Sequence, residues 1–488
     1  MSVLTILDSV PTRLFIGGQW VQASDSATFP VVNPATGKVI AEVADATAAD
    51  GEAALTAAAN AQKAWAATSP RERANILAKA FDLVIEHRDE LAAIITAEMG
   101  KPFAESVAEV NYGAEFLRWF AEETTHFAGR YSVAPDGRNR LMVHHRPVGP
   151  SLLITPWNFP LAMATRKVAP ALAAGCTSVL KPAALTPLTA LRFAELLQDA
   201  GVPAGVVNVV PTTQPGELTG PLLRDERLRK VSFTGSTAVG RAIIRDSAEQ
   251  VLRVSMELGG NAPFLVFEDA DLDAAIEGAM VAKLRNGGEA CVAANRFLIH
   301  ESIAEQFTSR LVKRMNEVTM GDGAQPETQL GPLIDEKSRT KVHSLVESAV
   351  LAGATLRTGG EILPGEGYFY PATVLTDIPA GAQILREEIF GPVAPITTFR
   401  SEEEAVSLAN NSEYGLVCFA YTKDLNRTLR LAESLETGML GINTGVVSNP
   451  AAPFGGVKQS GLGREGGAEG ILEYLETVYV GISDPNER

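Results

Sequence analysis

Apolar positions along this chain fall into short continuous runs, separated by longer stretches with helical spacing. Leu14-Phe15-Ile16 followed by Gly17-Gly18, and Val31-Val32-Asn33-Pro34 with a turn at Gly37, read as short strands over residues 13–45. From Thr47 the text changes to Ala-rich helix, interrupted at Ser69-Pro70. Ser69 is placed to cap a new helix, with Pro70 at its first position and Glu72 near the positive end of its dipole. That helix is expected to run to about Met99. Gly100-Lys101-Pro102 ends it, and another helix follows to about Thr125.

Residues 140–256 alternate strand and helix. Ser151 to Ile154 is a buried strand, followed by a helix to Ala174, the strand Ser178 to Leu180, helix 187–200 and the strand Val206 to Val210. Lys230 to Phe233 and a helix starting near Thr237 continue the pattern, which implies a mostly parallel sheet covered by helices. A second such block starts at Ala262 to Phe267 and continues to about 440, with a helix at 271–286, the strand Arg296 to His300 and a helix at 302–318. A Gly-rich tail from 441 ends in strand-like text, Thr477 to Ile482.

The 488 residues suggest about two to four domains. The net charge of −16 disfavours nucleic acid and anionic membrane surfaces as partners. Cys176, Cys291 and Cys418 are too few for a disulfide framework, which points to a reducing compartment. No Cys-x-x-Cys or His-x-x-x-His spacing exists, so no structural zinc is expected. Met1 to Arg13 shows no basic start followed by an apolar stretch, and Val168 to Leu180 is too short to span a bilayer. The expectation is a soluble, cytoplasmic protein.

Gly461-Leu462-Gly463-Arg464-Glu465-Gly466 matches a dinucleotide-binding pattern, but only 22 residues follow it, too few for a βαβ unit. It reads better as a tight loop whose glycines supply unusual backbone angles. Other segments carry more. Thr155-Pro156-Trp157-Asn158 follows a buried strand, at the end where open α/β sheets bind ligands. Asn158 suits either an oxyanion donor or a helix cap. Lys181, at the end of the next strand, suits a ribose or phosphate, or simple solvation. Phe233-Thr234-Gly235-Ser236-Thr237 opens a helix. Gly235 allows close backbone approach, and Ser236 suits a pyrophosphate site or an ordinary cap. Glu257 precedes Gly259-Gly260 at the junction of the two blocks, where burial would raise its pKa toward that of a general base. Cys291 follows Gly287-Gly288 and is a candidate nucleophile, whereas Cys176 and Cys418 sit in apolar text. Glu388 and Phe390 flank a Gly391-Pro392 turn, suited to ribose hydroxyls and a ring, or to a surface Glu and a core Phe.

The order and separation of these segments resemble the aldehyde dehydrogenase superfamily, essentially end to end. Thr155 to Pro160, Lys181 to Ala183, Phe233 to Thr237, Glu257 to Gly260, the Cys291 segment and Glu388 to Pro392 carry the resemblance. Ala164 to Lys167, Ser255 to Phe264, Lys283 to Asn286, Gly441 to Gly445, Ser448-Asn449 and Pro453 to Gly466 are most similar to the succinate-semialdehyde dehydrogenases. The resemblance implies an α/β fold of three parts. A Rossmann-type cofactor domain takes 1–120 and 145–256, an α/β catalytic domain 257–440, and a small β oligomerisation element 121–144 with 441–488. It also implies a homodimer or homotetramer. Cys291 would attack the aldehyde, Asn158 and the Cys291 N–H would hold the oxyanion, and Glu257 would activate the hydrolytic water. Thr155, Pro156, Trp157, Lys181, Ala184, Gly235, Ser236, Leu258, Glu388 and Phe390 would line the cofactor. Arg166, Arg285 and Ser448 would grip a terminal carboxylate of a semialdehyde, the two arginines having a structural ion pair as their alternative.

Several positions depart from the family's pattern. Gly288-Glu289-Ala290-Cys291 stands where Gly-Gln-Thr-Cys is usual, and Glu289 adds a negative charge near the thiol unless it points outward. Ala293 replaces the second cysteine that gives some relatives a disulfide switch. Pro211 to Pro215 replaces a Gly-rich turn. Ala184 stands where NAD-preferring relatives often carry a Glu that would repel a 2′-phosphate, so NADP is the preferred cofactor, with NAD possible. Succinic semialdehyde is the expected substrate, with glutarate semialdehyde or an aromatic aldehyde as the alternative. Glu257 argues against CoA-acylating chemistry, and the Cys291, Glu257 and Asn158 set argues against a binding protein that lost its chemistry.

Overall fold

The computed structural model describes residues 6–483. An eight-stranded sheet runs in the order Gln19–Val21, Leu14–Ile16, Val207–Val209, Ser178–Lys181, Ser151–Ile154, Lys230–Thr234, Arg253–Glu257 and Gly461–Leu462. Its five inner strands are parallel, and antiparallel strands close both edges. The short inner strands are buried on both faces, which explains their unbroken apolar text. The register aligns their carboxyl ends. Ile154 pairs with Lys181 and with Phe233, and Thr234 pairs with Glu257. The loops that follow therefore emerge side by side along one rim.

A seven-stranded sheet runs Thr355–Thr358, Thr373–Thr376, Val393–Phe399, Ala294–His300, Ala262–Val266, Val417–Tyr421 and Met439–Ile442. All its pairs are parallel except the first. Three of its strands begin just after Gly259-Gly260, Cys291 and Gly391. Their amino ends meet the carboxyl rim of the first sheet, and a Cβ added at Gly260 would lie 2.6 Å from the Cys291 carbonyl oxygen. The site is the seam between two sheets. Separate apolar cores underlie each sheet, the larger built on Leu153, Leu180 and Val209, the other on Phe264, Phe297 and Phe419.

The text from 70 to 99 forms two helices, Pro70–Glu86 and Arg88–Met99, where one was expected. His87 breaks them with φ −94° and ψ 20°, and its ring lies 2.7 Å from Glu90. Pro215 opens a short helix, Pro215–Leu223, in place of the Gly-rich turn. Ser69 caps as expected, accepting from the Glu72 N–H. Asn139–Pro147 pairs with Arg130–Val133 and with the tail strand Leu475–Ser483 in a three-stranded antiparallel sheet, largely exposed. The Gly461-to-Gly466 segment forms no βαβ unit. It adds the edge strand Gly461–Leu462, then turns with φ +87° at Gly463 and +70° at Gly466. Among the described residues no helix is long and apolar enough to cross a membrane.

Candidate active site

The carboxyl rim of the first sheet supplies one half of the site. The Thr155 N–H donates to the Lys181 carbonyl at 3.2 Å, which ties the first two loops together. Pro156 and Trp157 are half-buried, and Trp157 meets Phe390 edge to face with centroids 5.5 Å apart. Lys181 is buried, and burial lowers its pKa to about 8. Its ammonium has no hydrogen bond or ion pair among the described residues. Ala184 is half-buried and presents only a methyl group. The Gly235 N–H donates to the Glu257 carbonyl at 3.0 Å. Ser236 caps the Thr237–Ser247 helix by accepting from Val239, so the cap reading of Ser236 holds, and the first turn of that helix stays at the rim. Leu258 is buried beneath it. Glu388 reaches back from the second sheet to accept from the Gly260 N–H at 3.2 Å. Burial pushes its carboxyl up to about 7, opposed by that N–H and by Lys341 and Lys283.

These residues fit a dinucleotide. A desolvated ammonium without a partner, a helix amino terminus, and a Thr234 hydroxyl that is buried and unbonded all lie on the same rim. Unbonded buried polar groups are costly unless a ligand or water completes them.

The second half is the thiol. The Leu272–Leu284 helix ends in a loop with Asn286 at φ 56° and Gly287 at φ 62°. Gly288, at φ 76°, has no room for a Cβ, which would lie 2.3 Å from the Gly391 carbonyl oxygen. This turn delivers Cys291 half-exposed, while Cys176 and Cys418 are buried. Burial pushes the Cys291 thiol up to about 12. Arg166 opposes this, and the carboxylates of Glu388, Glu257 and Glu465 reinforce it. The resting thiol is therefore protonated and needs a base. Glu257 is buried with neither oxygen hydrogen-bonded. Burial, then the charge of Glu465, raises its pKa well above the carboxylate range, against Arg166, Lys167 and Arg464.

Asn158 does not cap the helix after it; Phe159 holds that position without a side-chain bond. One N–H of the Asn158 amide goes to the Glu289 carbonyl at 2.9 Å, and an amide NH₂ has a second to offer. The Asn158 carbonyl accepts from Lys101 Nζ at 2.8 Å and from Asn286 Nδ2 at 3.0 Å. Lys101 is buried against Glu109 at 2.5 Å, and Glu109 also accepts from the N–H groups of Leu161 and Ala162. Glu105 accepts from the Asn286 N–H at 2.7 Å. Glu289 is turned away from the thiol. Its Oε1 accepts from the Ile334 N–H at 3.1 Å, and burial holds its carboxyl well above the usual range.

The two arginines differ. Arg166 is 2% exposed and paired with Glu465 at 2.6 Å, with its Nη2 buried and unbonded. Arg285 is half-buried and forms no ion pair among the described residues. Its guanidinium lies 5.1 Å from the Phe159 ring and 5.9 Å from that of Tyr112. Ser448 lies half-exposed in the loop after Met439–Ile442. Lys101, Glu109 and Glu465 received no role from the sequence. Glu465 sits inside the glycine pattern dismissed as a cofactor motif, and it pairs with both Arg166 and Lys167.

A dinucleotide-type sheet edge facing a loop-borne thiol defines a class, and the whole chain follows that class: it belongs to the aldehyde dehydrogenase family, which matches residues 20–480. It is 60% identical over 92% of its length to the whole of a succinate-semialdehyde dehydrogenase of Paenarthrobacter nicotinovorans. It is 47% identical to a glutarate-semialdehyde dehydrogenase of Pseudomonas putida, covering 96% of this chain and 98% of the relative. Its fold matches the crystal structure of an NADP-dependent enzyme of E. coli with TM-score 0.96 at 45% identity, covering 97% of this chain and 98% of the other.

Proposed function

We propose that this protein oxidises succinic semialdehyde to succinate, with NADP as its preferred cofactor. The observation that carries the substrate is Arg285. A half-buried guanidinium that forms no ion pair among the described residues, although it feels the charge of Glu105, lies six residues before the thiol and suits a terminal carboxylate. The unbonded Nη2 of Arg166 and the hydroxyl of Ser448 supply further donors. The names of the relatives support the same substrate class. Ala184, which carries no carboxylate beside Lys181, and the NADP-dependent enzyme of E. coli support the cofactor.

The family resemblance assigns the roles, and the chemistry of the residues suits them. Lys181 and Glu388 would hold the riboses, Ser236 and Gly235 would receive the pyrophosphate, Thr155, Pro156, Trp157 and Leu258 would line the groove, and Phe390 would pack near the nicotinamide. Cys291 releases its thiol proton to solvent water, and the thiolate adds to the aldehyde carbon to give the oxyanion of a thiohemiacetal. The spare Asn158 N–H and the Cys291 N–H stabilise its oxyanion. A nicotinamide bound beside Phe390 would supply the hydride acceptor needed to convert this adduct to a thioester on Cys291. Glu257 takes a proton from water, the resulting hydroxide attacks the thioester, and succinate leaves as the Cys291 thiolate is restored.

The sheets support a division into a cofactor part (1–120 and 145–256), a catalytic part (257–440) and a bridging element (121–144 and 441–488), with Gly461–Leu462 returning to the cofactor sheet. The exposed three-stranded sheet suits assembly into a homodimer or homotetramer. Three unpaired cysteines, one of them the nucleophile, suit a cytoplasmic setting.

The test is reduced-cofactor absorbance with succinic, glutaric and neutral aldehydes, using wild type and Arg285→Ala. Loss of a charge-assisted carboxylate contact is expected to weaken kcat/KM for the carboxylated substrate by about tenfold to a hundredfold and to spare neutral aldehydes. Equal losses on all aldehydes would overturn the substrate assignment. Better turnover of the five-carbon semialdehyde would favour the reading suggested by the P. putida relative.

A further inference from the structure

Lys283 closes the Leu272–Leu284 helix inside the protein, fully buried. Its Nζ donates to the Gly391 carbonyl at 3.1 Å and to Asn295 Oδ1 at 3.3 Å. No carboxylate pairs with it among the described residues. Burial lowers its pKa to about 7, and the charge of Glu388 opposes the shift. A buried lysine without a carboxylate partner costs stability, and an apolar side chain of similar length would cost less. Lys283 is therefore a poor choice for holding the core together, which turns attention to the atoms it touches.

Those two atoms lie in two pieces of the site, and one of them borders a third. Gly391 follows Phe390, which is held at φ +58° although it is not a glycine. Two residues before Phe390 stands Glu388. The turn that carries Cys291 rests on the same Gly391 carbonyl through Gly288. Asn295 lies in the strand that leaves Cys291. One ammonium thus joins the helix before the thiol, the strand after it, and the turn bearing Glu388 and Phe390.

We infer that Lys283 is a positioning residue: by clamping the Gly391 carbonyl it fixes Glu388 and Phe390 for the nicotinamide end of the dinucleotide, in register with Cys291. The inference rests on the reading that Glu388 and Phe390 receive that cofactor. It predicts opposite effects on stability and on binding, because removing the ammonium relieves a buried charge but frees the turn.

The experiment uses the full chain with Lys283→Met and Lys283→Gln. NADP+ affinity is read from quenching of tryptophan fluorescence without aldehyde, Trp157 being 5.5 Å from Phe390. The thermal midpoint is read without ligand. Lys283→Met is expected to weaken NADP+ binding by about tenfold, the worth of one charge-assisted hydrogen bond, with a midpoint at or above that of wild type. Lys283→Gln, which keeps a donor for the Gly391 carbonyl, is expected to recover part of the affinity. Adding Glu388→Gln to Lys283→Met is expected to cost less than the two single losses combined, because both act on one turn. Unchanged affinity in Lys283→Met overturns the clamp. So does weaker binding that merely tracks a lowered midpoint, in both variants. Wild type that binds neither NADP+ nor NAD+ overturns the cofactor reading, and the clamp falls with it; wild type that binds while Lys283→Met binds equally well overturns the clamp alone.

Discussion

At the scale of single residues the site is a balance of buried charges. Neither carboxylate oxygen of Glu257 is hydrogen-bonded, and burial together with Glu465 raises its pKa well above the usual range. A raised pKa keeps the carboxyl protonated at low pH, so it accepts a proton only after losing its own. Thioester hydrolysis should therefore rise with pH through the folded pKa of Glu257, on a limb displaced above that of an exposed carboxylate. Glu465→Gln removes a neighbouring negative charge and leaves Arg166 and Lys167 acting on Glu257 unopposed. Both effects lower the Glu257 pKa, so the limb should move to lower pH in single-turnover measurements of acid release. A limb that stays in place would show that Glu257 does not set it. Cys291, Glu257 and Asn158 were legible in the sequence because each sits beside a turn residue in a short, distinctive string. Glu465 was not, because its partner Lys167 is 298 residues away and its own string reads as a glycine motif.

At the scale of elements, the amino end of the Phe103–Glu123 helix anchors Asn158, the proposed oxyanion donor. Glu109 binds Lys101 and two N–H groups of the Pro160–Ala174 helix, and Lys101 holds the Asn158 carbonyl. Glu109→Gln would leave Lys101 buried without its counter-charge, a change that costs about 3–5 kcal/mol when a buried pair is broken on one side. Thermal unfolding should register that loss, and kcat should fall more than aldehyde KM rises, because Asn158 loses its support. A variant as stable as wild type would show that the pair is not required. Strands such as Ser151–Ile154 and Lys230–Thr234 were legible because burial on both faces demands unbroken apolar text. The break at His87 was hidden because helical spacing continues through it. The Arg130–Val133 and Asn139–Pro147 pair was hidden because its exposed strands carry mixed polar text rather than an apolar run.

At the scale of the whole molecule, the three-stranded sheet meets the larger core at Leu475 and is otherwise largely exposed. It exposes Tyr131 and Tyr479, at 66% and 60%, together with Val133 and Ile482. Aromatic and aliphatic side chains on an exposed sheet with free edge groups favour pairing with another chain. Tyr131→Asp with Tyr479→Asp should lower the mass measured by light scattering toward that of one chain while leaving the far-ultraviolet spectrum unchanged. An unchanged mass would move the assembly surface elsewhere. The proposed three-part division rests on the family resemblance; the two blocks of alternating strand and helix could be read in outline from the text. The return of Gly461–Leu462 to the first sheet could not, because a two-residue edge strand leaves no periodicity to detect.

The aligned rim of the first sheet bears on how such a protein changes over generations. Ile154, Lys181, Thr234 and Glu257 each end a strand at nearly the same level, and the chain beyond each leaves the strand ladder for a loop on one rim. On the proposed reading, the choice of dinucleotide can drift through the few residues after Lys181 without disturbing the thiol. The choice of aldehyde can drift through the loop before Cys291 and the one that carries Ser448 without disturbing the sheet. One ancestral scaffold can thus diversify along two independent axes, and an engineer can vary the same two segments in separate libraries.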